Sequence, residues 1–190
     1  MDVRDEDWYG DELVEKVYQG YTFERVDLTE SVTRGCVFEE CTFGNVRFNA
    51  SRHTDSAFLR CTFTRCNFFE AEFTGCKLVG SVFRDSPLRP LRVTGGDWSF
   101  ATLAGADLRG VTFDGVRLRE VDLTKANCAE AVITGADLSG AQLTGADFRG
   151  SDLRGSDLSA FDPDGVQLAG AIITAEQAVT IAQRLGLEIR

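Results

Sequence analysis

A large apolar side chain recurs at every fifth residue between Tyr21 and Leu158, without any change of phase. Leu or Phe occupies 22 of the 28 positions in this series, which begins with Phe23 and Leu28. In most units a small residue, commonly Ala, Cys or Ser, stands two positions earlier. A period of five fits neither the 3.6 of an α-helix nor the 2 of a β-strand. The chain therefore consists of internal repeats, and its fold is limited to architectures in which similar units stack on one another.

Each unit has the form small–x–Leu/Phe–x–x. Its small and large side chains point to the same side of an extended segment. The other three positions are rich in Asp, Thr, Arg, Ser and Gly, which suit solvent and turns. A chain that bends at every unit buries both apolar positions by winding around a common axis.

The number of units per turn of this winding can be read from the glycines. When the last residue of each unit is sorted into four columns, one column holds glycine at six of seven places: Gly35, Asp55, Gly75, Gly95, Gly115, Gly135 and Gly155. Glycine is favoured where a turn needs a positive φ angle. A period of 20 thus lies over the period of five. It predicts an all-β fold, a four-sided β-helix with four units per coil and coils about 4.8 Å apart.

The two ends of the chain depart from the repeat. Trp8, Leu13 and Tyr18 in residues 1–20 share the phase of the repeat, but Glu6, Asp11 and Lys16 occupy slots that should hold small residues. This segment, the least regular of the chain, is therefore expected to be an N-terminal cap with a marginal first turn. The β-helix is expected to cover 21–173. A C-terminal segment, 174–190, begins with a capping-box sequence at Thr174 and should contain a helix of about 11 residues that ends near Gly186 and covers the open core.

One internal segment, Ser86–Pro90, departs from the pattern without shifting its phase. Proline has no N–H group to donate to a β-ladder. A local kink or altered turn is predicted there.

Composition argues against several classes of protein. The net charge of −10 lacks the basic footprint of a nucleic-acid-binding surface. No apolar run is long enough to cross a membrane, and the acidic N-terminus is unlike a secretory signal, so a cytoplasmic protein is expected. Five of the six cysteines occupy the small slot and Cys128 the large one, as buried thiols would, without metal-ligand spacing. Cys41 and Cys61 should be stacked neighbours, close enough for a disulfide and expected as thiols in a reducing cytosol.

The chain also lacks recognisable catalytic patterns. His53 is the single histidine and falls in a large interior slot, where a core histidine with a hydrogen-bond partner is the favoured interpretation. No nucleophile arrangement or phosphate-binding loop is present. The expectation is a protein that is not an enzyme and has no catalytic residues, cofactor or metal.

Function is then expected on the outer surface, where aspartates repeat in the position before the large residue. A rigid rod with outward carboxylates resembles the phosphate-lined surface of duplex DNA. This requires the acids to gather on one face, with Arg109, Arg149 and Arg154 turned aside. The alternative is a solvated acidic surface on a scaffold. The candidate partner-binding residues are Asp97, Asp107, Asp122, Asp137, Asp147, Asp152 and Asp157.

The repeat units resemble those of the pentapeptide-repeat family, most visibly in 104–110 and 131–140. That resemblance implies a right-handed quadrilateral β-helix. A narrower likeness, to the fluoroquinolone-resistance members of the family, rests on the segments Gly80–Phe83, Leu88–Leu91, Asp107–Gly110, Arg117–Glu120 and Glu176–Val179. It implies a DNA mimic that binds and inhibits DNA gyrase through the A or B subunit. The alternative is a scaffold with another partner and no effect on gyrase.

The C-terminal segment carries more apolar residues than a cap requires. Closed two-fold dimers are the commonest oligomers, and the resemblance likewise implies a dimeric rod. A homodimer is therefore expected through the C-terminal helix and tail, with an interface formed by Ala178, Val179, Ala182, Leu185, Leu187 and Ile189.

Overall fold

The period of 20 is the length of one coil in the structure, a computed structural model that describes residues 1–189. Each strand pairs in parallel with the strand 20 residues later, as in Asp2↔Thr22 and Phe43↔Phe63. Coil 1 is residues 1–20, coil 2 is 21–40, and so on. The predicted right-handed, four-sided β-helix is confirmed.

Three of its four walls contain β-strands, all three residues long. Wall 1 contains β1 (Asp2–Arg4), β4 (Thr22–Glu24), β7 (Thr42–Gly44), β10 (Thr62–Thr64) and β12 (Val82–Arg84). Wall 3 contains β2 (Glu12–Val14), β5 (Val32–Arg34), β8 (Arg52–Thr54), β11 (Glu72–Thr74), β13 (Arg92–Thr94), β14 (Thr112–Asp114) and β15 (Val132–Thr134). Wall 4 contains β3 (Val17–Gln19), β6 (Val37–Glu39) and β9 (Ala57–Leu59). Wall 2, which begins with residues 6–10, is held by single bridges such as Asp7↔Asp27.

The core is a stack of like side chains in register. Phe23, Phe43, Phe63 and Phe83 have ring centroids 4.8, 4.9 and 4.8 Å apart, with interplanar angles of 15° or less. This spacing equals the distance between hydrogen-bonded strands, so the ladder and the ring stack have the same repeat. Each stacked pair adds about 0.5–1.5 kcal/mol beyond the burial of its area. The stack changes to leucine at Leu103, which is also fully buried.

The cysteines and the histidine belong to this core, as predicted. All six cysteines are buried and free. His53 is 1% exposed, and its Nδ1 and Nε2 atoms lie 2.8 and 2.9 Å from the hydroxyls of Thr33 and Ser51. Burial lowers the pKa of His53 to about 3, so the ring is neutral. The Ser51 hydroxyl donates its proton to the Phe48 carbonyl at 2.7 Å, so it accepts from Nε2–H, while the Thr33 hydroxyl donates to Nδ1.

The expected N-terminal cap is instead a complete coil. Residues 1–20 contribute β1, β2 and β3, each paired with coil 2. The charged residues Glu6, Asp11 and Lys16 are tolerated in the small slot because coil 1 is paired with coil 2 alone in this structure, which leaves all three side chains exposed.

The kink predicted at Ser86–Pro90 is present. This segment forms no strand and no bridge on wall 2, where neighbouring coils are bridged. Its backbone still follows coil 4, since the N–H groups of Phe68 and Glu70 donate to the Pro87 and Pro90 carbonyls at 2.9 and 2.7 Å.

The C-terminal helix α1 (Ala175–Arg184) has the predicted capping box, formed between Thr174 and Gln177. The Gln177 side-chain amide also donates to the Leu153 and Ser156 carbonyls, both at 2.7 Å, and so caps the last full coil. Beyond the helix, Gly186 has φ +77° and ends it. Within residues 1–189 no helix has the length and apolarity needed to span a membrane.

The buried neutral His53 makes stability depend on pH in a defined direction. Its folded pKa, about 3, lies below the ordinary 6.5, so the unfolded chain binds the proton first as pH falls. The free energy of unfolding should decrease by up to about 1.4 kcal/mol per pH unit below pH 6.5 through this residue. Urea unfolding of wild type and His53→Gln from pH 8 to pH 5 measures it. The difference in unfolding free energy between wild type and His53→Gln should be constant above pH 7, and below pH 6.5 the wild type should lose stability relative to the variant. If the unfolding free energies of the two proteins change with pH in parallel, the burial of a neutral His53 does not cause the pH dependence.

Candidate functional site

The aspartates predicted to bind a partner have a structural task in the repeat. In each, one carboxylate oxygen accepts a hydrogen bond from the backbone N–H two residues later. Asp122, for example, accepts from Thr124 at 2.9 Å. This local bond closes the turn at the corner of the coil. The repetition of aspartate at this position is therefore explained by turn geometry, without reference to a partner.

The same aspartates do not form one surface. Asp122 lies on wall 1, Asp152 on wall 3, and the remaining five are divided between walls 2 and 4. Wall 2 has Asp107 and Asp147; wall 4 has Asp97, Asp137 and Asp157. The condition that DNA mimicry by these seven aspartates sets, a single acidic face, is not met, because successive units of the chain turn onto successive walls.

Arginines also neutralise most of them. A DNA-like acidic face requires three arginines to point away from the aspartates: Arg109, Arg149 and Arg154. Each of them instead binds the aspartate two residues before it. The Nη2–Oδ2 distances are 2.8, 2.6 and 2.6 Å, and these guanidinium groups hold the pKa of Asp107, Asp147 and Asp152 below its ordinary value. Two more ion pairs cross between coils: Arg117–Asp97 at 3.0 Å and Arg119–Asp137 at 3.9 Å. Of the seven, Asp122 and Asp157 alone have no basic partner within residues 1–189.

Negative charge is concentrated instead at the N-terminal end of the rod. Residues 1–30 carry 10 acidic and 3 basic side chains, and the other 160 residues carry 20 and 17. Five exposed acids in coils 1 and 2 have no ion-pair partner in the described part of the chain. We call them the N-terminal acidic surface: Glu6, Asp7, Asp11, Glu15 and Glu30.

The density of this charge is comparable with that of DNA. A net charge of −7 over one and a half coils, about 7 Å of rod, is about one charge per 1 Å, against about one per 1.7 Å of B-DNA. Wall 2, the most acidic wall, carries eight acidic and four basic residues over nine coils, or about one net charge per 10 Å. The negative electrostatic field is therefore stronger at the N-terminal end of the rod than along any of its four walls.

The sequence contained the signal for this surface. The excess of acid in residues 1–20 is visible in the composition, but an irregular cap would not hold charges in fixed positions. Strands β1 to β3 supply that rigidity. The repeat phase shared by Trp8, Leu13 and Tyr18 was the clue, since their side chains pack on the core.

With this geometry established, comparisons with known proteins identify the family. The sequence profile described as "Pentapeptide repeats" matches 54–85, 93–124 and 122–159, in eight copies. The chain belongs to the pentapeptide-repeat family. Its coils of four pentapeptides and its alternation of small and large interior residues are thus family features.

Relatives and solved structures of pentapeptide-repeat proteins extend the comparison. Over 92 residues the chain is 39% identical to pentapeptide repeat protein MfpA of Mycobacterium tuberculosis; the match spans 48% of this chain and 50% of MfpA. The match thus covers about half the length of this curated relative. A trypsin-treated form of QnrB1, a plasmid-mediated fluoroquinolone resistance protein, has a TM-score of 0.74 at 22% identity, covering 100% of this chain and 98% of that one. HetL of Nostoc has a TM-score of 0.56 at 18% identity, covering 90% and 84%. These two likenesses concern the fold.

The residues predicted for a dimer interface lie on or beyond α1. Val179, Leu185, Leu187 and Ile189 are 40–58% exposed, and Ala178 is exposed as well. Ala182 is half-buried. The helix packs on the core through Gln177 and Ile181 instead. An apolar surface is therefore left uncovered at this end of the rod.

The described residues, 1–189, contain no group of three or more His, Cys, Asp or Glu side chains arranged to hold a metal ion. Apolar rings and hydroxyls surround His53, and the pKa of Cys66 is raised to about 12 by burial. The surface supports binding by charge and shape.

The turn bond of Asp122 can be separated from its charge. Asp122→Asn and Asp122→Ala remove the same charge, but only asparagine retains an oxygen that can accept from Thr124. We expect the alanine variant to lose about 1 kcal/mol of unfolding free energy relative to the asparagine variant. Urea denaturation of the two proteins measures this difference. Equal stabilities would show that the bond contributes nothing.

Proposed function

We propose that the chain is a DNA mimic that binds DNA gyrase, inhibits it, and contributes to fluoroquinolone resistance. It acts as a cytoplasmic binding protein without catalysis or a cofactor. Family membership and the partial match to MfpA support this role, and resistance to fluoroquinolones is the role of QnrB1, whose fold the chain shares.

The observation that carries the proposal is the density of fixed negative charge on the N-terminal acidic surface. A gyrase surface that binds DNA has to be basic, because duplex DNA presents a dense row of phosphates. Four of the five acids lie on coil 1 and Glu30 lies on coil 2, both of them rigid coils. The acids therefore need no ordering when they bind, and this saves the entropy that a flexible acidic tail would lose. They extend over only about 7 Å of rod, roughly the rise of two base pairs. The mimicry is thus of a short length of duplex.

A scaffold that binds another basic partner is the second candidate. The near-neutral charge of residues 31–190 and the arginine pairs on the walls favour it, because most of the rod offers no DNA-like field. Such a scaffold would leave gyrase unaffected.

Two variants with the same change of charge distinguish these functions. The end variant combines Glu6→Gln, Asp7→Asn, Asp11→Asn and Glu15→Gln. The wall variant combines Asp122→Asn, Asp137→Asn, Asp147→Asn and Asp157→Asn. We expect the wild-type protein and the wall variant to inhibit gyrase supercoiling, and the end variant to need about ten times more protein, a loss of about 1.4 kcal/mol.

Inhibition by the wild type should also weaken as salt concentration rises, because exposed charges are screened. Equal inhibition by the end and wall variants would remove the N-terminal acidic surface from the proposal. Absence of inhibition by the wild type would favour the scaffold.

A homodimer through the C-terminal segment completes the proposal. Val179, Leu185, Leu187 and Ile189 are exposed in the single chain, and pairing two copies would cover them. Since this segment is at the far end from coil 1, the dimer would be a rod with an acidic surface at each tip.

The dimer can be tested by placing charge in the expected interface. Val179→Glu with Leu187→Glu should convert a dimer into a monomer, because burying an unpaired carboxylate costs several kcal/mol. Light scattering after size-exclusion chromatography measures the mass. The control is Val14→Glu with Val17→Glu, at exposed positions of coil 1, which should remain dimeric. A monomeric wild type, or a dimeric interface variant, would contradict this arrangement.

A further inference from the structure

The ladder between coils 5 and 6 is open at the corner where wall 1 meets wall 2. Before the opening, the Phe83 N–H donates to the Thr102 carbonyl at 3.1 Å and the Thr102 N–H to Ser81 at 2.9 Å. After it, the Thr112 N–H donates to Leu91 at 3.0 Å. The ladder is thus intact on both sides of a gap of about six residues in each coil.

Within the gap, backbone groups lack the partners that other coils provide. At this corner the N–H groups of Asp5 and Arg65 donate to the next coil at 3.0 Å. In the described residues, the equivalent N–H of Asp85 makes no such bond to Ala104, and those of Leu88 and Asp107 are also without a ladder partner. Pro87 and Pro90 have no N–H to donate, and coil 4 holds this segment through both of their carbonyls. Coil 5 therefore stays with coil 4 and separates from coil 6.

The separation leaves a cleft of about 930 Å³. Phe83 and Leu88 lie at its base, 7% and 1% exposed, and Ala104 lines the coil 6 side. Arg89 reaches across to Asp107, with an Nε–Oδ2 distance of 3.1 Å. The four charged lining residues, two arginines and two aspartates, cancel in sum: Arg84, Asp85, Arg89 and Asp107.

We propose that this cleft binds an extended, uncharged segment of a partner polypeptide by β-strand pairing. The free N–H and C=O groups face each other from two neighbouring coils at ladder positions, which is what the backbone of a strand complements. The gap runs from Asp85 to Pro90, so it matches a segment of at most about six residues, and it is shorter than about 20 Å because the chain turns at Asp85, whose φ is +48°. The absence of net charge on the lining favours an uncharged segment, and the apolar base favours small apolar side chains. This site is distinct from the N-terminal acidic surface and does not depend on binding to gyrase.

A tryptophan in the same coil can report occupancy. The Trp98 ring is stacked on Phe83, with centroids 5.7 Å apart and an interplanar angle of 1°. Trp8→Phe leaves Trp98 as the single tryptophan of the chain. The probe is the acetylated and amidated peptide Ser-Thr-Ala-Val-Thr-Ser, titrated against Trp98 fluorescence and by calorimetry. The matched control peptide has alternate amides N-methylated, so that it cannot donate to a strand.

We expect saturable binding of the probe and at least about tenfold weaker binding of the N-methylated peptide, the effect of losing about 1.4 kcal/mol of hydrogen bonding. Ala104→Tyr should block the cleft from an exposed position, whereas Thr144→Tyr, on the same wall two coils away, should not. Pro87→Asn with Pro90→Gly should close the cleft and abolish binding, since these residue types occupy the same positions in regular coils. No binding to the parent protein, equal binding of the two peptides, or unchanged binding to Ala104→Tyr would overturn the proposal.

Discussion

The rest of the structure depends on one distance, the spacing of about 4.8 Å at which both a β-ladder and a stack of side chains repeat. Phe23 over Phe43 and Phe38 over Phe58, with centroids 4.8 and 4.7 Å apart, satisfy both at once. A core residue can be replaced only by one whose side chain also stacks at this spacing. A local misfit is not spread along the rod, because neighbouring coils stay bonded on the walls that it does not affect. The Ser86–Pro90 segment is such a misfit: wall 2 has no bridge there, and the coils are paired again at Thr112.

This constraint decides which residues are available for function. Positions one and three of each unit point into the core, and an aspartate at position two is engaged in the corner turn. The fourth and fifth positions and the two ends remain. Five exposed acids without a basic partner lie at the first coil and the corner beneath it, where no further coil restricts them. Of the seven aspartates that close a corner turn in coils 5 to 8, arginines neutralise five, and Asp122 and Asp157 are the exceptions.

Much of the fold followed from the sequence because the repeat leaves few alternatives. The coil length, the buried His53, the capping box at Thr174 and the kink at Ser86–Pro90 were all predicted and are present. The column of glycines predicted the correct period of 20, but its explanation, that one turn per coil needs a positive φ angle, was incomplete. Positive φ angles occur at the fifth position on all four walls, including non-glycine residues such as Glu30 (+58°) and Glu120 (+52°). Glycine is thus a preference at these corners, and the column of glycines on one wall reports the period without marking a unique turn.

The candidate site was less predictable, for a geometric reason. A period of five along the chain becomes a rotation through four walls, so residues that look alike in sequence are separated in space. Asp122 and Asp137 occupy equivalent positions in their units yet lie on different walls. The relevant neighbours are 20 residues apart, as in Arg117 and Asp97. Arginines two residues after an aspartate are close to it by turn geometry, and the linear sequence shows them only as alternating charges.

The concentration of negative charge at the N-terminal end reduces stability, and the architecture limits this loss. Like charges at the N-terminal end repel one another and destabilise the coil that carries them. In the middle of the rod such a coil would weaken the ladder on both of its sides, whereas coil 1 has a ladder on one side only. Its aromatic side chains offset the repulsion, since Trp8 and Tyr18 both pack against Phe23, with centroids 5.8 and 5.4 Å away. The end of the stack is therefore where a solenoid can hold a dense, rigid, negative surface with least effect on the rest of its coils.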